Sequence, residues 1–293
     1  NFMKINPVLE NEIRRNMRSM KVSWMIFGGN LLLTLVAVVT CFGTGAGRDY
    51  MAAAQYRFPV QCYMIMAYVL FILICLLVPG IAGGSIAIER ERRTLDILLT
   101  THLSPWKIIV GKLEASLCVI FMLACSALPV ISLVLIYGGI SLTDLLALVA
   151  ILVICGIFIG SIGVFCSAIC RKTTVATILS YVIVLFLALG TIALVAVIYY
   201  VLGVQAERME IYQAPDVGGW IYLLYLNPLV TFYGLLSHQV GSGSELINVC
   251  CCFGDFAQDP GVRHMLPAAI AVQLLLSVIL LIIAGRRINP LRR

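Results

Sequence analysis

The chain has 293 residues, of which 61% are hydrophobic and 12% are charged, and its mean hydropathy is +1.04. A water-soluble domain of this composition could not cover its surface with polar groups, so the composition excludes a soluble globular protein. The net charge of +6 does not indicate nucleic-acid binding, because the basic residues flank apolar segments, where anionic headgroups and the direction of membrane insertion account for them. We therefore expect an all-α polytopic membrane protein with one transmembrane domain over residues 1–293.

The first predicted element is an amphipathic helix at residues 7–21, lying on the membrane surface. Apolar residues such as Leu9 and Ile13 recur on one face of this helix. On another face, Glu10 precedes Arg14 by four residues, a spacing that favours an ion pair. Such an interfacial helix would steer the first span. A solvated tail helix is the alternative interpretation.

Six apolar segments are each long enough to cross a bilayer, which needs about 20 residues. They are residues 22–42, 61–88, 115–137, 144–169, 174–202 and 265–285. Apart from Asp144 they contain no Asp, Glu, Lys or Arg, which disfavours a carrier driven by protons or sodium ions. A cytoplasmic N-terminus places sixteen of the 20 basic residues inside, so the positive-inside rule predicts that both termini are cytoplasmic.

Small residues mark the second and fourth spans. In the second span, Pro79, Gly80 and Gly84 predict either a bend that serves as a hinge or close packing against a neighbouring helix. In the fourth span, four small residues fall on one helical face and predict close helix packing, with a partner in this chain or in another; they are Gly156, Gly160, Gly163 and Ser167.

Residues 203–264 form the predicted external connection before the last span. Its apolar part, residues 220–236, is interrupted by Asn227-Pro228, so we expect two short re-entrant helices and no seventh span. The consecutive cysteines at 250–252 lie in this loop, where a disulfide requires an oxidising compartment. Their spacing from the histidines disfavours a metal site.

Residues 89–114 form a charged cassette between two apolar runs and hold nine of the 34 charged residues. Residues 94–101 predict one or two helical turns that carry several leucines, and Ser104-Pro105 predicts the start of the next helix. A short, partly apolar helix beneath the membrane suits docking into a groove on a soluble protein. The chain has no HExxH, GxSxG or GxxxxGK[ST] motif, so we expect no enzymatic activity and no nucleotide hydrolysis by the chain itself.

The segment ERERRTLDILLTTHLSPWKIIVGK resembles the signature of ABC type-2 transporter permeases. The shared features are a Glu-rich turn, a T-L-[ED]-x-L-L-x-T core, a Ser-Pro-like helix start and a closing Gly-Lys. Six spans, an N-terminal elbow helix and a broken apolar segment before the last span are also similar, so the resemblance covers nearly the whole chain. Arg93 occupies a position at which many members carry Gly. This difference affects the local turn and leaves the T-L-[ED]-x-L-L-x-T motif unchanged.

The resemblance implies a cytoplasmic coupling helix between spans two and three that contacts a separate ATP-binding subunit. The residues expected to couple to that subunit are Glu89, Glu91, Arg92, Thr94, Leu95, Asp96, Leu98 and Leu99. The elbow helix would contact it through Glu10, Arg14 and Arg18. This chain would bind no cofactor, since ATP and magnesium would lie on the partner, and a second permease, identical or different, would complete a transport path.

The resulting hypothesis is the membrane subunit of an ATP-driven exporter in the cell membrane. A path lined by aromatic and small residues favours a hydrophobic or amphipathic substrate, such as a lipid, peptide or drug-like molecule, over an ion. The alternative is a membrane anchor or assembly protein that recruits a cytoplasmic ATPase and transports nothing. A membrane-embedded enzyme would need catalytic groups that the sequence lacks.

Overall fold

A computed structural model describes residues 9–10, 12–14, 19–45, 52–93, 105–137, 140–209, 216–241, 245–254, 256 and 259–288. Helices account for nearly all of these residues, and no strand occurs among them, which confirms the all-α class. In chain order the helices are α1 (Met20–Gly45), α2 (Ala52–Gly84), α3 (Ala87–Glu91), α4 (Pro105–Tyr137), α5 (Leu142–Ile169), α6 (Thr173–Leu185), a π-helix (Phe186–Gly190), α7 (Thr191–Arg208), a 3-10 helix (Gly218–Leu226), α8 (Pro228–Val240), α9 (Glu245–Cys251), α10 (Pro260–Arg263) and α11 (Met265–Ile288).

Among the described residues, six helical stretches are long and apolar enough to cross a membrane, in agreement with the six predicted spans, and one bent pair would add a seventh if it crosses. The fifth stretch is continuous from Thr173 to Arg208 and includes the π-helix. Helices α2 and α4 are longer than the predicted spans, because α2 begins at Ala52, inside the expected external loop, and α4 begins at Pro105, inside the charged cassette. Asp144, the single acidic residue of the predicted spans, lies in the first turn of α5, where it forms a capping box with Ser141.

The first compact unit comprises residues Asn1–Tyr181 and Ser277–Arg293. The glycine face of α5 packs against α2 and α4 within it, so partner helices for this face lie in the same chain. A Cβ atom added at Gly163 would lie 2.7 Å from Ala82 Cβ and 3.0 Å from the Gly83 amide nitrogen. Cβ atoms at Gly156 and Gly160 would lie 2.8 Å and 2.9 Å from Ile120 Cδ1 and Leu113 Cδ1 of α4.

The end of α2 packs against the start of α6 through small residues. A Cβ atom at Gly80 would lie 2.8 Å from the hydroxyl oxygen of Tyr181, which donates a 2.6 Å hydrogen bond to the Leu76 carbonyl. Helix α2 continues through Pro79 and Gly80 to Gly84, and the helical path is interrupted only at Ser85 and Ile86. The interruption therefore directly follows Gly84, the last of the small residues that predicted a bend or close packing.

The second compact unit comprises residues Val182–Leu276. Its 3-10 helix and α8 meet at 91°, as the Asn-Pro interruption predicts; the pair is either a broken span or a re-entrant loop. Asn227 is completely buried at the bend, where its Oδ1 accepts hydrogen bonds from the amides of Leu229 (2.8 Å) and Val230 (3.3 Å). Its Nδ2 donates to the Ala188 carbonyl of the π-helix and to Thr191 Oγ1, both at 2.8 Å. Asn227 thus caps α8 and holds the bend against the π-helix.

The three consecutive cysteines differ in environment. Cys250 is buried, Cys252 is exposed, and all three carry free thiols. The Cys250 thiol lies 3.8 Å from the sulfur of Met265. Within the described part of the chain, no group of three or more His, Cys, Asp or Glu residues is placed to hold a metal ion.

Candidate functional site

The candidate site is built around three consecutive residues of α3, Glu89, Arg90 and Glu91, which we call the charged turn. Helix α3 begins just after the interruption at Ser85 and Ile86. The first amides of a helix have no partner inside it, and the side chain of Ile86 offers no acceptor. Ser167, buried on α5, supplies one, because its Oγ accepts hydrogen bonds from the amides of Ile86 and Ala87, both at 2.9 Å. The start of α3 is therefore bound to α5.

Glu89 binds a buried lysine of α4. Lys112 Nζ lies 2.5 Å from Glu89 Oε1 and also donates to Glu12, in the helical residues 12–14. The side chain of Lys112 is only 2% exposed, and a charge so far from water is tolerated when it is paired and hydrogen-bonded. The ammonium has three donors, enough to serve both carboxylates. This ion cluster holds α3, α4 and the segment that contains Glu12 together.

Arg90 binds the end of α5. Its guanidinium donates hydrogen bonds to the carbonyl oxygens of Ala168 and Cys170, both at 3.0 Å. The last carbonyls of a helix lack internal partners and carry partial negative charge, so a cation there is stabilising. The planar fork of arginine suits two acceptors at once.

Glu91 binds the start of α6. Its Oε2 accepts hydrogen bonds from the amide of Thr173 at 3.2 Å and from the Thr173 hydroxyl at 2.5 Å. The residue before Thr173 is Lys172, whose side chain has no acceptor to cap the helix. A carboxylate from another part of the chain takes that role, and its charge suits the positive end of the helix. Successive residues of a helix point about 100° apart, which is how three neighbours in sequence reach α4, α5 and α6.

Two residues after the charged turn lies Arg93, which has the left-handed backbone value φ = +58°. The Arg92 amide donates to the Ile88 carbonyl at 3.0 Å, and the Arg93 amide donates to the Arg90 carbonyl at 3.1 Å. A left-handed residue after a helix is most often glycine, because a side chain is sterically disfavoured there. The backbone thus gives a physical reason for the glycine that many permeases carry at this position.

The structure places only part of the predicted coupling set. Glu89 and Glu91 make the contacts described above, and Arg92 is exposed at the end of α3. The remaining five coupling residues lie outside the described residues; they are Thr94, Leu95, Asp96, Leu98 and Leu99. In the predicted elbow, Arg14 and Glu10 form an exposed ion pair at 3.3 Å, and Arg18 lies outside the described residues.

The sequence did not predict the contacts of five residues of the site: Glu12, Arg90, Lys112, Ser167 and Thr173. In the sequence, Lys112 belongs to the closing Gly-Lys of the signature and Ser167 to the small-residue face of the fourth span, whereas nothing marks the contacts of Glu12, Arg90 and Thr173. One signal was present, since Lys112 stands seven residues inside the helix that starts at Pro105, one turn after the apolar Ile108 and Ile109.

The described contacts of the site hold the ends of helices in place. Through them, the charged turn connects α3 to α4, α5 and α6. It lies where the second, third, fourth and fifth spans begin or end. A family model described as "ABC-2 family transporter protein" matches residues 7–285. A search of curated proteins gave no match. The family match covers nearly all of a chain with six apolar helices, and the chain therefore belongs to the ABC-2 transporter family, as a membrane permease component of an ABC transporter.

Proposed function

We propose that the chain is the permease subunit of an ATP-driven exporter, powered by ATP hydrolysis on a separate cytoplasmic ATP-binding subunit. The observation that carries the proposal is the family match over residues 7–285 in a chain that has no phosphate-binding GxxxxGK[ST] motif of its own. ATP and magnesium would bind to the partner, and this chain would transmit the partner's movement. Both termini and the charged turn would then face the cytoplasm, in keeping with the distribution of basic residues.

The contact with the partner would be made by residues 94–101, which directly follow the charged turn, and by the elbow helix. Leu95, Leu98 and Leu99 would enter an apolar groove on the ATP-binding subunit, as amphipathic helices commonly do. Two permeases, identical or different, would enclose the path. The scarcity of charge in the spans favours a hydrophobic or amphipathic substrate, such as a lipid, a peptide or a drug-like molecule.

The double substitution Leu98→Asp with Leu99→Asp tests the docking contact. Two carboxylates in an apolar groove would have no partners there, so we expect the ATP-binding subunit to be lost on purification. The matched control is Met209→Asp with Val249→Asp, which places the same charges at exposed apolar positions elsewhere. Mass measurement of the purified complexes gives the result, and retention of the subunit by the Leu98/Leu99 variant would refute the contact.

Transport is tested with the wild-type complex in inside-out vesicles. We expect ATP-dependent accumulation of a fluorescent lipid, an apolar peptide or an amphipathic dye. An intact complex that hydrolyses ATP but moves none of these classes would favour the membrane anchor instead.

A further inference from the structure

Arg90 and Glu91 hold the two ends of the same short connection. Helix α5 ends at Ile169 and α6 begins at Thr173, so residues 170–172 join the fourth span to the fifth. Arg90 binds carbonyl oxygens where this connection begins, at Ala168 and Cys170, and Glu91 binds Thr173 where it ends. Two neighbouring residues of one helical turn therefore bracket a connection about 80 residues away in sequence.

Helix α3 is hydrogen-bonded to the α5–α6 region as well as linked to α2 by the chain. The path from α2 into α3 is interrupted at Ser85 and Ile86, and the amides of Ile86 and Ala87 are bound by Ser167 of α5. Bonds from Ser167, Arg90 and Glu91 thus join α3 to the α5–α6 region. A displacement applied to the chain beyond Arg93 would reach the fifth span through these contacts, although the fifth span is not adjacent to that segment in sequence.

We propose that Arg90 and Glu91 are positioning residues that transmit movement of the docking segment, residues 94–101, to the start of the fifth span. This inference rests on the proposed function, since it requires a partner that moves the docking segment. The two contacts have different roles. Arg90 makes a partly buried contact with two backbone carbonyls and stays in place, whereas Glu91 makes an exposed contact that water can replace, so it forms and breaks during the cycle.

The test uses the complex with its ATP-binding subunit in lipid nanodiscs and an environment-sensitive fluorescent amino acid at position 171. Arg171 is exposed in the α5–α6 connection. The measurement is the change in fluorescence between the nucleotide-free complex and the complex trapped with ATP and vanadate. We expect a clear shift in the otherwise wild-type protein and its loss in Glu91→Ala, with the ATP-binding subunit still bound.

Three further variants separate this role from a purely structural one. Glu91→Gln keeps an oxygen that can accept a hydrogen bond, so part of the shift should remain. Thr173→Val removes the hydroxyl donor but keeps the methyl group that faces Gly84, so it should reduce the shift without disturbing packing. Glu207→Ala removes an exposed carboxylate elsewhere and should leave the shift unchanged.

A full fluorescence shift in Glu91→Ala, with the complex intact, would overturn the inference and leave the proposed function standing. If Glu91→Ala does not fold, a full shift in Thr173→Val has the same meaning. If no ATP-binding subunit purifies with the wild-type chain, both the inference and the proposed function are refuted.

Discussion

Lys112 is the residue on which the ion cluster depends. It lies between Glu12, 100 residues earlier, and Glu89, 23 residues earlier, and is almost completely buried. A buried ion pair adds little net stability compared with apolar packing, but removing one partner leaves the other charges without compensation. Here that loss would leave two carboxylates side by side.

We expect Lys112→Met to lower the free energy of unfolding by about 3–5 kcal/mol, because it removes the buried ammonium that Glu12 and Glu89 share. Thermal unfolding in detergent measures the change. Lys172→Met, at an exposed position between α5 and α6, is the control and should have little effect. Equal melting temperatures for the two variants would contradict the role given to the cluster.

The left-handed conformation of Arg93 gives a second prediction. A non-glycine residue in this conformation costs about 1–2 kcal/mol, part of which glycine recovers. Arg93→Gly should therefore stabilise the protein by about 1 kcal/mol, measured as a higher melting temperature. Arg92→Gly, at a position with right-handed φ of −82°, should not stabilise it.

The thiol of Cys250 makes the stability of the folded protein depend on pH. Burial, together with the neighbouring Cys251 and Cys252, raises the pKa of the Cys250 thiol from 9.0 to about 11. The folded state thus disfavours the thiolate, so the stability gained from this group is complete below pH 9 and is lost as the pH rises towards 11.

At pH 7.5 a maleimide should modify the exposed Cys252 and spare Cys250, since the thiolate is the reactive form. Mass spectrometry of the labelled peptides distinguishes the two sites. Modification of Cys250 should increase at alkaline pH or after unfolding, and equal labelling of both at pH 7.5 would contradict its burial.

Residue-level contacts were the least predictable part of the site. Arg93 could be noted from the sequence because family resemblance gave a glycine to compare it with. The pairing of Lys112 with Glu12 could not be predicted from the sequence, because no local pattern links side chains 100 positions apart.

At the scale of the helices, the glycine face of α5 sets how closely α2 approaches. The atoms facing Gly163 include the backbone nitrogen of Gly83, which cannot rotate away, whereas the nearest atom facing Gly160 is the mobile end of Leu113. The same substitution should therefore have different costs at the two positions.

Gly163→Ala should destabilise the protein by about 1–3 kcal/mol, because α2 and α5 would have to separate. Gly160→Ala should cost less. Gly28→Ala is the control, since no atom lies within 4 Å of the added Cβ on α1, and it should be neutral or stabilising by about 0.5–1 kcal/mol. The order of the three melting temperatures is the measurement, and a Gly163 variant as stable as the control would refute the close approach.

The periodicity of the sequence predicted helices well, and the glycine spacing predicted one packed face. The glycine spacing could not identify the helices that cover this face. The residues Pro79, Gly80 and Gly84 predicted either a bend or close packing near the end of the second span, and the interruption at Ser85 and Ile86 directly follows Gly84. The reason for the interruption is tertiary, because the amides of Ile86 and Ala87 bind Ser167 of another helix, while proline within a membrane helix is often tolerated.

At the scale of the whole molecule, the number of crossings decides which ends of the chain share a compartment. The six candidate spans place both termini on one side, whereas a seventh crossing by the bent pair at Asn227 would separate them. The charge distribution favours the first arrangement.

We expect a reporter enzyme that is active only outside the cytoplasm to be inactive when fused to either terminus. The same reporter fused after Met209, at the end of the fifth span, should be active. Activity at the C-terminus alone would show that the bent pair crosses the membrane.

The π-helix at Phe186–Gly190 affects how the fifth spans of related proteins should be aligned. A π-helical turn holds one more residue than an α-helical turn, so a relative without that residue would continue as a regular helix. When such a relative is aligned with this chain, the gap should be placed within Phe186–Gly190 and not in the loop after Arg208. Such a relative would also lack the Ala188 carbonyl in the position that Asn227 binds, so the extra residue and the asparagine should be inherited together.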